Sequence, residues 1–150
     1  MYCLKFSVLL NIAPPQFTNI IHGFEEIGKG EPHMIKGIGL DIIEIERIAK
    51  AMARSDKFKD RILSEREIAL FTTYSMSRKV EFLAGRFAAK EAFSKALGTG
   101  IGTDCKLHDI EILRGDAGKP VLYFKGELVN GFVSITHAKQ YAAAQVILML

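Results

Sequence analysis

The run Arg86-Phe-Ala-Ala-Lys-Glu-Ala-Phe-Ser-Lys-Ala-Leu-Gly-Thr-Gly-Ile-Gly102 sets one carboxylate, Glu91, and two ammonium groups, Lys90 and Lys95, on an otherwise apolar helix ending in a glycine-rich turn. An acid, cations and free backbone N–H donors brought together suit a metal-bound, multiply charged phosphate ester. A second acid, Asp41, lies far upstream in Gly37-Ile-Gly-Leu-Asp41. Neither acid has His or Cys companions, and oxygen-only ligation favours Mg²⁺ or Mn²⁺ over zinc. Magnesium held by one or two carboxylates takes its other ligands from water and substrate phosphate, which points to a di- or triphosphate. Lys90, Lys95 and the turn from Gly98 to Gly102 are placed to neutralise and cradle it. The turn is no P-loop, because it follows a helix and lacks the Lys-Ser/Thr pair.

The elements that must position these groups can be read from periodicity. Residues 35–43 form a strand with Ile38, Leu40 and Ile42 on one side and Gly37, Gly39 and Asp41 on the other. Two glycines beside a carboxylate admit a close approach, by a ligand or by a neighbouring element. Ile45, Ile48, Ala49 and Met52 then follow helical spacing, leaving Arg47, Lys50, Arg54, Lys57, Lys59 and Arg61 outward. Six cations with few local acids make either a solvated face or a surface for an acidic protein. Ser64-Glu-Arg-Glu67 has capping-box form and opens a helix anchored by Ile68, Leu70 and Phe71. A long helix over 77–97, closed by Gly98, is apolar on more than one side and is therefore central. Glu91 must then point toward protein, and a buried carboxylate needs a cation partner. Lys95, four residues on, would supply a pair worth ~0.2–0.5 kcal/mol; a divalent metal is the other candidate. Strands are expected at 107–113, 121–124, 132–136 and 141–149, giving an α+β domain: a strand, helices, then an antiparallel sheet.

At 150 residues and 49% apolar content the chain can bury one core. Twenty basic residues against 17 acidic ones leave a net charge of +3, which marks neither a nucleic-acid nor a membrane binder. Cys3 and Cys105 form no metal-ligand spacing, so free thiols in a reducing cytoplasm are expected. No apolar run approaches the ~20 residues of a membrane span. Residues 1–33 read unlike the rest. Phe6 to Ala13 make a poor signal peptide, with Lys5 the only preceding charge and no good cleavage site. A disordered extension or a mis-assigned start remain. Glu25-Glu-Ile-Gly-Lys-Gly-Glu31 requires purine-rich codons just before Met34, where a bacterial ribosome-binding sequence would lie. The expectation is an extension over 1–33 and a single domain over 34–150.

With these residues in view, the chain resembles the holo-[acyl-carrier-protein] synthase family, the small bacterial class of 4′-phosphopantetheinyl transferases. The resemblance rests on Gly37-Ile-Gly-Leu-Asp41 with Arg47-Ile48, on Glu81-Phe-Leu-Ala-Gly-Arg-Phe-Ala-Ala-Lys-Glu-Ala-Phe-Ser-Lys-Ala96 and its glycine turn, on Gly118-Lys-Pro120, and on Val133-Ser-Ile-Thr-His137. It implies the phosphopantetheinyl transferase fold and transfer of the phosphopantetheine arm of coenzyme A to a serine of apo acyl carrier protein, for fatty acid biosynthesis. It implies that Asp41 and Glu91 ligate Mg²⁺ or Mn²⁺, and that Lys95 acts with them in catalysis. It places Arg86, Lys90, Lys95, Gly98, Gly100 and His137 at coenzyme A, and Arg47, Arg54 and Lys57 at the acidic carrier protein. A homotrimer with sites between subunits is also implied. The alternative is a module that binds coenzyme A or carrier protein without chemistry.

Overall fold

The structure, a computed structural model, describes residues 34–150. The expected extension over 1–33 and the start-site reading lie outside the described residues. Strand β1 (Ile35–Glu44) opens the domain and leads into four helices: α1 (Ile45–Arg54), α2 (Phe58–Ile62), α3 (Glu65–Thr72) and α4 (Met76–Leu97). Five strands follow: β2 (Ile110–Arg114), β3 (Pro120–Phe124), β4 (Glu127–Leu128), β5 (Gly131–His137) and β6 (Tyr141–Met149). They make two three-stranded sheets, β1-β6-β5 and β2-β3-β4, with every pairing antiparallel. The expected single late sheet is thus two sheets, one of which recruits the first strand. Pairing of β1 with β6 sets Asp41 opposite Ala144 and Leu40 opposite Gln145.

The capping box forms as read: Glu67 N–H donates to Ser64 Oγ at 3.3 Å and Ser64 N–H to Glu67 Oε2 at 3.0 Å, starting α3. The stretch expected as a strand over 107–113 begins instead with a 3₁₀ turn, Leu107–Asp109, in which Asp109 accepts the Lys106 N–H at 3.2 Å. A side chain that satisfies the backbone locally competes with a ladder partner, so pairing starts only at Ile110.

Helix α4 is the centre of the domain, buried on several sides as its composition predicts. Its small residues Ala92 and Ala96 allow β1 to come close. A Cβ on Gly37 or Gly39 would overlap the carbonyl oxygen of Ala96 or Ala92. The large group that the two glycines admit is therefore this helix, not a ligand. On another side of α4, the Phe93 ring stands 5.1 Å from that of Phe124, joining helix to second sheet over a core that includes Ile110, Ile112 and Leu122. The helix stops at Gly98, whose left-handed φ of 83° turns its N–H back to the carbonyls of Ser94 and Lys95.

The outer face of the first sheet exposes an apolar row along β1, with the exposed Gln145 and Ser134 in register with Leu40. Ile38, Leu40 and Ile42 on β1 are 56%, 63% and 65% exposed, and Phe132 on β5 is 54% exposed. Four large apolar side chains left exposed on one sheet face suit an interaction surface.

Candidate active site

Because Gly39 lets α4 lie against β1, Asp41 and the end of the helix meet. Lys95 Nζ donates to Asp41 Oδ1 at 2.7 Å and to the Leu40 carbonyl at 3.2 Å. Lys95 is therefore the partner of Asp41; the pair with Glu91 that helical spacing allows is not formed. Glu91 is half-buried, and burial pushes its carboxyl pKa up. The nearby Asp41 charge adds to that rise, and Lys95 partly offsets it. Among the described residues Glu91 has no ion pair. Two acids and one ammonium thus share a small region where carboxylate charge exceeds its compensation.

This donor set fits a hard divalent cation. Both acids offer oxygen, and because no cluster of three or more metal-ligating side chains occurs among the described residues, the protein itself would supply two ligands at most. A cation here would draw its remaining ligands from water or substrate, which is how magnesium is usually held.

The glycine turn does less than expected. The N–H groups of Gly98 and Gly100 both donate to the Ser94 carbonyl, at 3.1 and 3.3 Å, and Gly102 N–H donates to the Cys105 carbonyl at 3.0 Å. These donors close the helix and its loop, so Gly98 and Gly100 offer no free N–H cradle. What they offer is room, since added Cβ atoms at both would meet nothing.

Lys90 requires a second correction. Its side chain is fully buried, with Nζ donating to Glu67 Oε2 and, at 2.6 Å, to the Ile62 carbonyl. Burial pushes the Lys90 pKa down, while the charge and hydrogen bond of Glu67 oppose that shift. An ammonium held inside in this way does not face a coenzyme phosphate. Sequence spacing could not reveal this, because its partner lies 23 positions away.

Arg86 and His137 do share a cleft, of about 230 Å³, whose wall also includes Arg78, Arg114, Gly118 and Pro120. Arg78 donates from Nη1 to Glu81 Oε2 at 2.9 Å and meets His137 Nε2 at 3.2 Å. The Arg86 guanidinium lies over the Phe82 ring, 4.3 Å from its centroid. Three guanidinium groups and an imidazole line this second cleft. Nothing in the sequence marks Arg78 and Arg114 as part of a cleft.

On α1 and the following turn, Arg47, Arg54 and Lys57 are exposed, and no acid pairs with them among the described residues. Lys50 instead pairs with Glu46 at 2.7 Å, and Lys59 turns to Asp56 and Asp60. The basic face is real, with only part of its charge neutralised locally. Cys105 is a buried free thiol. No helix among the described residues is long and apolar enough to cross a membrane.

The α+β scaffold thus carries two acids and a lysine at the end of α4 and a separate arginine-lined cleft. Residues 37–146 match the family model of the 4′-phosphopantetheinyl transferase superfamily. The chain is 55% identical over 115 residues to a holo-[acyl-carrier-protein] synthase of Geobacillus sp. (strain WCH70), covering 77% of this chain and 97% of that protein. Among solved structures it is similar to the holo-(acyl-carrier-protein) synthase of Bacillus anthracis str. Ames in complex with CoA (3′,5′-ADP), at 50% identity and a TM-score of 0.69, covering 77% of this chain and 97% of that one. It is also similar to the Helicobacter pylori holo-[acyl-carrier-protein] synthase in complex with coenzyme A, at 35% identity and a TM-score of 0.64, covering 74% and 98%. The chain belongs to the 4′-phosphopantetheinyl transferase superfamily.

Proposed function

We propose that residues 34–150 transfer the 4′-phosphopantetheine group of coenzyme A to a serine of apo acyl carrier protein, releasing 3′,5′-ADP, as a step of fatty acid biosynthesis in the cytoplasm. The observation that carries this reading is the ion pair of Asp41 with Lys95 at 2.7 Å, one helical turn from Glu91, whose carboxyl pKa burial and the Asp41 charge push up. The serine oxygen forms a bond to the phosphorus that bears the pantetheine arm. The bond from that phosphorus to the bridging diphosphate oxygen breaks, and 3′,5′-ADP departs with the electron pair.

Each residue has a task that its surroundings support. Asp41 and Glu91 would hold Mg²⁺, with Mn²⁺ the alternative, and the ion would draw negative charge from the diphosphate oxygens. Lys95, half exposed and reaching across from the helix, stabilises charge on the departing phosphate. Glu91 accepts the serine proton directly or orients a water that does. Coenzyme A also carries a ribose 3′-phosphate separate from its diphosphate, and the cleft of Arg78, Arg86, Arg114 and His137 suits that second anion. Arg47, Arg54 and Lys57 receive the acidic carrier protein and steer its approach. The bare face of Ile38, Leu40, Ile42 and Phe132 supports a homotrimer, in which it would be covered. Nucleic acid and membrane have no part in this reading.

Incubation with coenzyme A, Mg²⁺ and an apo carrier protein, followed by intact mass measurement, tests it. The expected result is a carrier heavier by one phosphopantetheine, with the gain abolished by a chelator. Coenzyme A binding without any gain on carrier would favour the non-catalytic module instead.

A further inference from the structure

Glu67 is the most heavily engaged buried group in the domain, and the transfer reaction makes no direct use of it. Its side chain is fully buried and gathers donors from three elements. Oε2 accepts the Ser64 N–H at 3.0 Å and the Lys90 ammonium. Oε1 accepts the Ile112 N–H from β2 at 3.1 Å and lies 3.3 Å from Arg86 Nε. A capping-box glutamate needs only the N-cap N–H, and such residues are ordinarily solvated. This one is drawn inside and joined to the two cations at 86 and 90, one helical turn apart on α4.

The consequence falls on Arg86. Its Nε is buried beside Glu67 without an aligned hydrogen bond, so the attraction there is chiefly that of opposite charges. Its guanidinium plane is held against the Phe82 ring. The side chain keeps 11% exposure, which must lie away from the buried Nε edge. Arg78 and Arg114 bring like charge toward Arg86, which by itself would drive the guanidinium away from the cleft wall they share. Glu81 is already engaged by Arg78. Glu67 is thus the anion that keeps Arg86 in place among cations.

We propose that Glu67 is a positioning residue for the arginine cleft, holding Arg86 by its Nε edge so that the terminal N–H groups serve a phosphate monoester, while Lys90 balances the buried carboxylate from behind. The proposal rests on the reading of that cleft as the site of the coenzyme A 3′-phosphate. It gives Lys90 an indirect task in place of the phosphate contact that the sequence implied.

The test compares equilibrium binding of coenzyme A and 3′-dephospho-coenzyme A by calorimetry. Wild-type protein should favour coenzyme A by about 10- to 100-fold, the range of a charge-assisted contact. Glu67→Gln keeps the side-chain shape and an acceptor but releases Arg86, so the preference should fall by about tenfold, mostly through weaker coenzyme A binding. That variant leaves Lys90 as a lone buried charge and can unfold. The double variant Glu67→Gln/Lys90→Met removes both charges and should show the same lost preference in a folded protein. Val146→Ala, a buried truncation in β6, lowers stability but should leave the preference intact, which separates positioning from general loosening. A preference retained in the double variant overturns the role of Glu67 while the cleft reading stands. Equal wild-type affinity for the two ligands overturns the cleft reading itself.

Discussion

Gly39→Ala should damage stability and chemistry together, although the residue touches no substrate. A Cβ there would overlap the Ala92 carbonyl oxygen and sit 2.7 Å from Ala96 N. Non-bonded atoms of this kind need about 3.5 Å, so α4 or β1 must yield by roughly 1.5 Å to relieve the closest overlap. Overpacking of that order costs about 1–3 kcal/mol. Alanine restricts the unfolded chain and returns about 0.4–1 kcal/mol. The net loss is about 1–2 kcal/mol, which lowers Tm by roughly 4–10 °C for a domain of this size. The same shift separates Lys95 from Asp41, now 2.7 Å apart, and a misplacement of ~1 Å can reduce turnover about 100-fold. Thermal melting by circular dichroism and single-turnover transfer to carrier protein measure the two effects. Gly102→Ala is the control, because a Cβ there meets nothing and its φ is not left-handed; it should stay within about 0.5 kcal/mol of wild type. A Gly39→Ala protein that melts and transfers like wild type would show that α4 does not press on β1, and the argument that places Lys95 would fail.

Three further outcomes follow from the same geometry. Glu91 has a raised folded pKa, so its contribution to stability is present below the ordinary carboxylate range and is lost as pH rises through the raised value. In chelator, Glu91→Gln should therefore melt above wild type near neutral pH, by an increment that vanishes in acid, while with Mg²⁺ present its transfer is abolished; an unchanged melting profile would show that Glu91 is not strained. Arg54→Ala should raise KM for carrier protein about two- to fivefold at low salt and leave KM for coenzyme A alone, with the difference disappearing as salt is added. Leu40→Asp puts a charge into the bare apolar face, so sedimentation should show the assembly broken into single chains; a wild-type protein that sediments as a monomer would remove the trimer from the proposal.

How far the sequence reached can be seen residue by residue. Hydrophobic period placed β1, the long helix and the β6 strand, because each has one dominant spacing over many residues. The capping box at Ser64 was equally plain, since its two hydrogen bonds are local. Asp41, Glu91 and Lys95 were legible as chemistry because acids on apolar elements need partners. Which cation served which acid was not legible. Helical spacing offers Lys95 to Glu91, yet the close approach at Gly39 gives it to Asp41, a contact 54 positions distant. Lys90 misled for a related reason: a lysine beside a glutamate in a presumed phosphate motif looks available, and only the packing of α3 and β2 shows it enclosed. The division into two sheets was also hidden, because strand order depends on non-local pairing that alternation alone cannot assign.

The charges of α4 gain their meaning from the pitch of the helix. Residues four apart lie on one stripe, while neighbours in sequence are turned by about 100°. Glu91 and Lys95 therefore face β1 and Asp41, whereas Arg86 and Lys90 face Glu67 between α3 and β2. One helix holds two ionic clusters on different sides, one suited to a diphosphate and the other backing a cleft for a monoester. Because both are fixed to the same rigid rod, their relative placement is set by how that rod seats on the glycines of β1. A substitution at the seat should disturb both clusters, whereas a change within either one, such as Glu67→Gln, should leave the other in register. Comparing Gly39→Ala with Glu67→Gln/Lys90→Met for coenzyme A preference and for turnover at saturating ligand separates the two cases. The first should lower both quantities, and the second should lower mainly the preference.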